Sequence, residues 1–133
     1  MSSFRRKIGN LYTDRIRARP TEYRGVMMRS RLEADFAYHL DNQQAAWRYE
    51  PLIFGARGKG YMPDFEVTRP DGLHYIEVKP RLAEVGDAKK RMEVIWRDYP
   101  DAVLVVACAE ECRFFAATVG KEWFTWVDRW AHQ

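Results

Sequence analysis

Between Tyr61 and Pro80 the chain reads Y-M-P-D-F-E-V-T-R-P-D-G-L-H-Y-I-E-V-K-P, and this stretch restricts the fold more than any other. Phe65 to Arg69 and Leu73 to Lys79 are rich in aromatic and β-branched residues, as strands require. Between them Pro70 presets φ at the second turn position, Asp71 suits the third, and Gly72 supplies the positive φ of a hairpin exit. Strand alternation puts Glu77 and Lys79 on one face, with Val78 and His74 on the other. An antiparallel hairpin brings Asp64, at the open start of the first strand, beside the end of the second. Pro63 is tolerated there because a first strand residue need not donate to the ladder. Pro80 stops the second strand directly after Lys79. Two carboxylates and an ammonium therefore meet at one end of a sheet. Such a group can hold a divalent cation and activate water, the chemistry of a metal-dependent nuclease. Charged residues at strand ends are also often plain solvated groups, so the pattern alone leaves both readings open.

The length, 133 residues, is that of one domain able to bury about two thirds of its unfolded surface. With 47% hydrophobic and 31% charged residues the balance is that of an ordinary water-soluble protein. No run approaches the ~18 apolar residues of a membrane span, and the N-terminus is basic and polar, without an apolar signal core. Cytoplasmic residence is expected. Two cysteines, Cys108 and Cys112, are too few for a disulfide scaffold or a four-cysteine zinc site and are read as reduced and structural.

A net charge of +3 says little until its placement is considered. Between Phe4 and Arg31 lie Arg5, Arg6, Lys7, Arg15, Arg17, Arg19, Arg24, Arg29 and Arg31, opposed only by Asp14 and Glu22. A basic arm over residues 1–27, ahead of a single domain over 28–133, suits phosphate neutralisation and counterion release. A solvated charged tail has the same composition.

The remainder reads as one α/β unit. Ser30 is a good helix N-cap, and Leu32, Phe36 and Leu40 recur at helical spacing to about Asp41. A strand is expected from Ala46 to Phe54, and a basic, Gly-rich loop from Gly55 to Gly60. Val85, Ala88, Met92, Ile95, Trp96 and Tyr99 form the apolar stripe of a helix ending before Pro100. Val103 to Ala107 has the fully apolar character of a buried central strand. A further strand is expected at Arg113 to Thr118, and a closing helix from Trp123 to Trp130.

With that order of elements, three segments carry a family resemblance: Arg29-Ser30-Arg31-Leu32-Glu33, Tyr61-Met62-Pro63-Asp64-Phe65, and Glu77-Val78-Lys79. The chain resembles the PD-(D/E)xK, or restriction-endonuclease-like, nuclease superfamily. Within it, the chain looks most like the bacteriophage endonuclease I type of Holliday-junction resolvase and the nuclease subunit of heteromeric bacterial transposases. Asp87-Ala88-Lys89-Lys90-Arg91 also looks like the phage family, and the likeness spans about Met28 to Ala107. It implies a mixed central β-sheet flanked by helices, in a protein of a bacterial or phage-infected cell. It implies that Asp64, Glu77 and the backbone carbonyl of Val78 bind Mg²⁺ or Mn²⁺ through hard oxygen ligands. Lys79 is then the group that orients the attacking water or offsets phosphate charge. The implied products are a 5′-phosphate and a 3′-hydroxyl.

Glu33 has two competing roles. Three residues after Ser30, it stands where a capping-box partner reaches back to the cap's N–H. The resemblance puts a catalytic acid at the same position, completing the metal site directly, through water, or through a second ion.

Candidate phosphate contacts are Arg5, Arg6, Lys7, Arg29, Arg31, Arg57, Lys59, Arg81, Lys89 and Lys90, each of which also reads as a solvated charge. His39, His74 and His132 share no spacing and read as surface or core-edge residues. Trp123, Trp126 and Trp130 can stack bases or form a dimer contact, though aromatics at such spacing are usually core. A homodimer fits the cutting of two strands. Three functions follow: a structure-selective endonuclease acting on branched DNA, a nuclease subunit that needs a protein partner, or a non-catalytic DNA-binding module.

Overall fold

The computed structural model describes residues 19–56, 59–110, 113–120 and 123–127, with 56, 59, 110, 113 and 123–127 described by backbone alone. Its elements run β1 (Thr21–Tyr23), β2 (Val26–Met28), α1 (Arg31–Asn42), β3 (Trp47–Tyr49), β4 (Phe54–Ala56), β5 (Lys59–Tyr61), β6 (Phe65–Arg69), β7 (Gly72–Lys79), a single 3₁₀ turn (Leu82–Glu84), α2 (Val85–Asp98), β8 (Val103–Glu110), β9 (Arg113–Thr118) and β10 (Trp123–Val127). The main sheet has six strands in the order β10-β9-β8-β7-β6-β3. The β7 and β8 pair is parallel, the α2 crossover lying between them in sequence, and the other four pairs are antiparallel. The expected α/β class, a mixed sheet with helices against it, is the class observed.

Strand alternation sorts the core into two layers. Along β8, Val105, Ala107 and Ala109 join Phe36, Leu40, Phe65, Val67, Ile76, Val78 and Phe114 beneath α1. Leu104, Val106 and Cys108 point the other way, into Val85, Ala88, Met92 and Ile95 of α2. Full burial of each large side chain stabilises by about 1.5–3 kcal/mol, which is why β8 needs its uninterrupted apolar run. The aromatic centre is Phe36, whose ring meets Phe114 edge-on at 4.9 Å and lies 5.3 Å from Phe65.

The β6–β7 hairpin forms as expected. Arg69 pairs with Gly72 across Pro70-Asp71, and Gly72 has φ 128°. Helix α1 starts where expected as well, with the Ser30 hydroxyl accepting the Glu33 N–H at 3.2 Å.

Three expectations are corrected. The strand expected from Ala46 to Phe54 is two short strands, β3 and β4, because Glu50 takes a left-handed φ of 46° and turns the chain between them. The loop expected from Gly55 to Gly60 is the hairpin β4–β5, Gly55 facing Gly60. The closing helix expected from Trp123 to Trp130 is overturned: Trp123–Val127 is strand β10, paired antiparallel with β9. Its W-F-T-W-V run satisfies the helical i, i+3, i+4 template, but its β-favouring residues and the open edge of β9 decide for a strand. Ahead of α1 stands the β1–β2 hairpin, whose turn residues Arg24 and Gly25 both have positive φ, 53° and 84°. That hairpin is tied to α1 through Asp41, whose carboxylate accepts from Tyr23, Arg24 and Trp47.

Candidate active site

Asp64 is placed by the hairpin itself. Its N–H donates to Ile76 O at 3.0 Å, extending the β6–β7 ladder by one residue, and its carbonyl accepts the Glu50 N–H at 2.8 Å. Thus anchored, the side chain lies 7% exposed at the sheet's end. Its Oδ2 accepts the Val78 N–H at 2.8 Å, and its Oδ1 accepts Arg29 Nη2 at 2.6 Å. Burial pushes this carboxyl up to about 7, with Glu33 and Glu77 adding to the rise and the Val78 N–H and Arg29 partly offsetting it.

Glu33 approaches from α1 and is 5% exposed. Its side chain does not close a capping box. Oε1 accepts the backbone N–H of Arg29, one residue before the cap, at 2.9 Å, and the Tyr49 hydroxyl at 2.7 Å. Oε2 pairs with Arg29 Nη2 at 2.8 Å. Cap and carboxylate are thereby separated: Ser30 satisfies the helix, which frees the Glu33 carboxylate to face Asp64.

Glu77 and Lys79 project from the same face of β7, as strand alternation requires, with Lys79 Nζ 3.0 Å from Glu77 Oε2. Glu77 Oε1 accepts the Tyr61 hydroxyl at 2.7 Å, and Oε2 also meets Arg91 Nη2 of α2 at 3.2 Å. Burial alone would raise the Glu77 carboxyl, but Tyr61, Lys79 and Arg91 outweigh it and hold the group below the usual carboxylate range. Burial, followed by the Glu77 carboxylate to which it donates and by Asp64, pushes the Tyr61 phenol well above its ordinary value, with Arg91 opposing. Val78 contributes its N–H, to Asp64.

Of the candidate phosphate contacts, Arg29 holds the centre of the carboxylate group. Nη2 spans Asp64 and Glu33, and Nε meets Glu50 Oε2 at 2.8 Å. Burial disfavours its charge, but Glu33 and Asp64 more than compensate, and the guanidinium is raised above its ordinary value. Arg31 pairs with Asp35 at 3.6 Å and Arg81 with Glu84 at 3.2 Å, both exposed. Lys90 is exposed and Lys89 half-buried on α2. Arg5, Arg6, Lys7, Arg57, His132 and the side chains of Lys59 and of Trp123, Trp126 and Trp130 lie outside the described residues. His74 sits at the hairpin turn, 2.9 Å from Asp71, and His39 is a core residue, 1% exposed.

Sequence reasoning missed Tyr49, Tyr61 and Glu50, and it did not anticipate that Arg29 and Arg91 bind carboxylates of this chain. Tyr61 adjoins the Pro-Asp segment, which is a usable signal; Tyr49 carries none beyond its place in a strand.

Among the described residues, no three His, Cys, Asp or Glu side chains stand close enough together to hold a metal ion as they are. The donor chemistry nevertheless fits a hard divalent cation. Glu33 Oε2 and Asp64 Oδ1 already converge on one cationic atom, Arg29 Nη2, and carboxylate oxygens are the ligands such cations select. Comparison of the chain with protein-family models, curated proteins and solved structures returns no match in any of the three. The site must be judged on its own geometry.

Proposed function

We propose that this protein is a divalent-metal-dependent DNA endonuclease, hydrolysing phosphodiester bonds and selecting branched DNA such as a four-way junction. One observation carries the reading. Carboxylate oxygens from α1 and from Asp64, just ahead of β6, bracket a single cationic position at 2.8 and 2.6 Å, and a Glu77–Lys79 pair stands on β7. The motif resemblance supports the same assignment, as does the excess of Lys and Arg in the chain, 22 against 19 Asp and Glu.

In this mechanism Glu33 and Asp64 would hold Mg²⁺ or Mn²⁺, and Glu77 and the Val78 carbonyl would complete the group only by moving toward the ion, since the acidic side chains do not stand close enough as they are. When bound, such an ion would supply a bound water of lowered pKa and a positive charge beside the attacked phosphate. Every other task falls to the chain. The Val78 N–H fixes Asp64 Oδ2, which leaves Oδ1 turned to Arg29 Nη2, the position a metal ion would take. Tyr49 and the Arg29 N–H fix Glu33 in the same way. Glu77, itself held by Tyr61 and Arg91, restricts Lys79, whose ammonium orients the attacking water or offsets charge on the phosphate. The products are a 5′-phosphate and a 3′-hydroxyl. Cutting two strands calls for two such sites, and a homodimer supplies them.

Purified protein incubated with Mg²⁺ and with four-way junction, nicked, linear duplex and single-stranded DNA tests the proposal. Paired nicks concentrated at the junction are the expected result. Cleavage that appears only when a second protein is added assigns the chain as the nuclease subunit of a partner-dependent system instead. Junction binding with no cleavage under either condition leaves a DNA-binding module.

A further inference from the structure

Arg29 lies between β2 and α1, and its backbone is held at two points. Its N–H donates to Glu33 Oε1 at 2.9 Å and to the Tyr49 hydroxyl at 3.0 Å. Beyond that anchor the side chain is 63% exposed, while the carboxylates it bridges are 6% and 9% exposed. The guanidinium therefore covers two buried carboxylates from the solvent side. Without a cation these two groups repel, and burial prevents water from compensating them. Nη2 contacts both, at 2.6 and 2.8 Å. A divalent ion would require the same Oδ1 and Oε2 atoms, so ion and guanidinium exclude each other.

Charge balance points the same way. Glu33, Glu50, Asp64 and Glu77 are directly paired with Arg29, Lys79 and Arg91. Withdrawing Arg29 alone leaves two net negative charges among these groups, which one divalent cation cancels. Retaining Arg29 leaves one, and adding the ion would then make the group net positive while placing two cations against one pair of oxygens. The anchored backbone and long exposed side chain let the guanidinium leave without disturbing α1. It would leave toward solvent, the side from which a phosphodiester must approach.

We propose that Arg29 is an exchangeable latch: its guanidinium fills the cation position between Glu33 and Asp64 in the metal-free protein, and a DNA phosphate draws it away as the metal ion enters. This rests on the nuclease reading and adds a coupling to it. Metal and DNA each favour the state with Arg29 withdrawn, so each strengthens the binding of the other, by the same factor in both directions. The free protein holds its metal weakly because only the latch-open fraction is competent.

Mn²⁺ titration by calorimetry in the absence of DNA tests this, comparing Lys79→Met protein with Lys79→Met/Arg29→Gln, so that any DNA added later stays intact. The double variant is expected to bind Mn²⁺ about 5- to 150-fold more tightly, the usual range of such couplings. Adding four-way junction DNA should tighten Mn²⁺ binding by a similar factor in Lys79→Met and have little effect in the double variant. Equal or weaker Mn²⁺ binding by the folded double variant overturns the latch alone. Absence of Mn²⁺ binding in both proteins, with or without DNA, overturns the metal-nuclease reading and the latch with it. If the double variant folds only when Mn²⁺ is present, as circular dichroism would report, the ion has replaced the guanidinium and the latch stands. If it folds under neither condition, Arg29→Lys decides: tighter Mn²⁺ binding than wild type supports the latch, and unchanged binding overturns it.

Discussion

The Asp64 carboxylate accepts the Val78 N–H at 2.8 Å, a side chain of one strand satisfying the backbone of its neighbour. Asp64 precedes β6 and Val78 lies near the end of β7, so the contact fixes the sheet's register and the orientation of the carboxylate together. Oδ1 is left as the oxygen that faces Arg29 and Glu33. Replacement by Asn can keep the acceptor toward Val78 but turns an amide N–H₂ toward a guanidinium. Asp64→Asn is expected to remain folded and to bind junction DNA, while Mg²⁺-dependent nicking falls about 100-fold or more, as when an ion loses a correctly oriented ligand. A plasmid-nicking assay alongside a gel-shift measures both.

Lys79→Met should separate chemistry from stability. Its ammonium is a quarter exposed and meets one carboxylate, which also has Tyr61 and Arg91. Because Glu77 keeps the Tyr61 hydroxyl and Arg91 as partners, loss of the ammonium should change stability by no more than about 1.5–3 kcal/mol, whereas cleavage should fall about 100-fold or more through loss of charge stabilisation. Single-turnover kinetics and a urea melt give the two numbers. Unchanged cleavage would remove Lys79 from the mechanism.

Tyr49→Phe removes a hydroxyl that donates to the buried Glu33 carboxylate and accepts the Arg29 N–H. The phenyl ring can keep its edge-on contact with Phe65 at 5.5 Å. Hydrogen bonds to charged groups contribute about 1.5–3 kcal/mol, so urea unfolding should show a loss in that range.

His39 makes stability pH-dependent independently of the site. It is 1% exposed between Phe36 and Phe114, and neither ring nitrogen has a hydrogen-bond partner. Burial, aided by Arg69, lowers its pKa from 6.5 to about 4. Unfolded protein therefore takes up a proton between these values and folded protein does not. The neutral ring carries no penalty above pH 6.5, and stability is lost as pH falls from 6.5 toward 4. At about 1.4 kcal/mol per pKa unit the loss approaches 3 kcal/mol. His39→Leu should flatten that part of the stability–pH curve, measured by denaturant melts at pH 4.5, 5.5 and 7.

Lys90 is exposed on α2, the helix that carries Arg91 to Glu77. If it meets phosphate, Lys90→Ala should weaken binding to every DNA sequence alike. The slope of log affinity against log salt should drop by about 1. A slope equal to wild type would return Lys90 to the category of solvated charge.

Local pattern sufficed wherever the physics was local. The Pro70-Asp71-Gly72 turn, the Ser30 cap, the apolar stripe of α2 and the unbroken run of β8 are each decided within a few residues, and each formed as read. The Trp123–Val127 strand was misread because its Trp spacing suits a helix, and the edge of β9 that it joins is not visible in sequence. The same reason hid the role of Arg29. A basic residue beside other basic residues reads as a phosphate contact. Its partner Asp64 is 35 positions away, brought close only by the packing of α1 against the sheet.

Strand β8 gives alternate side chains to opposite layers, Val105 and Ala107 to one and Val106 and Cys108 to the other. Neither layer can melt without stripping partners from the same strand, so the molecule has two cores but one unfolding unit. Glu33 rides on the helix of the first layer and Arg91, which restrains Glu77, on the helix of the second. Amide exchange should therefore find α1, α2 and β8 opening with a common free energy, and the two halves of the site surviving or vanishing as one.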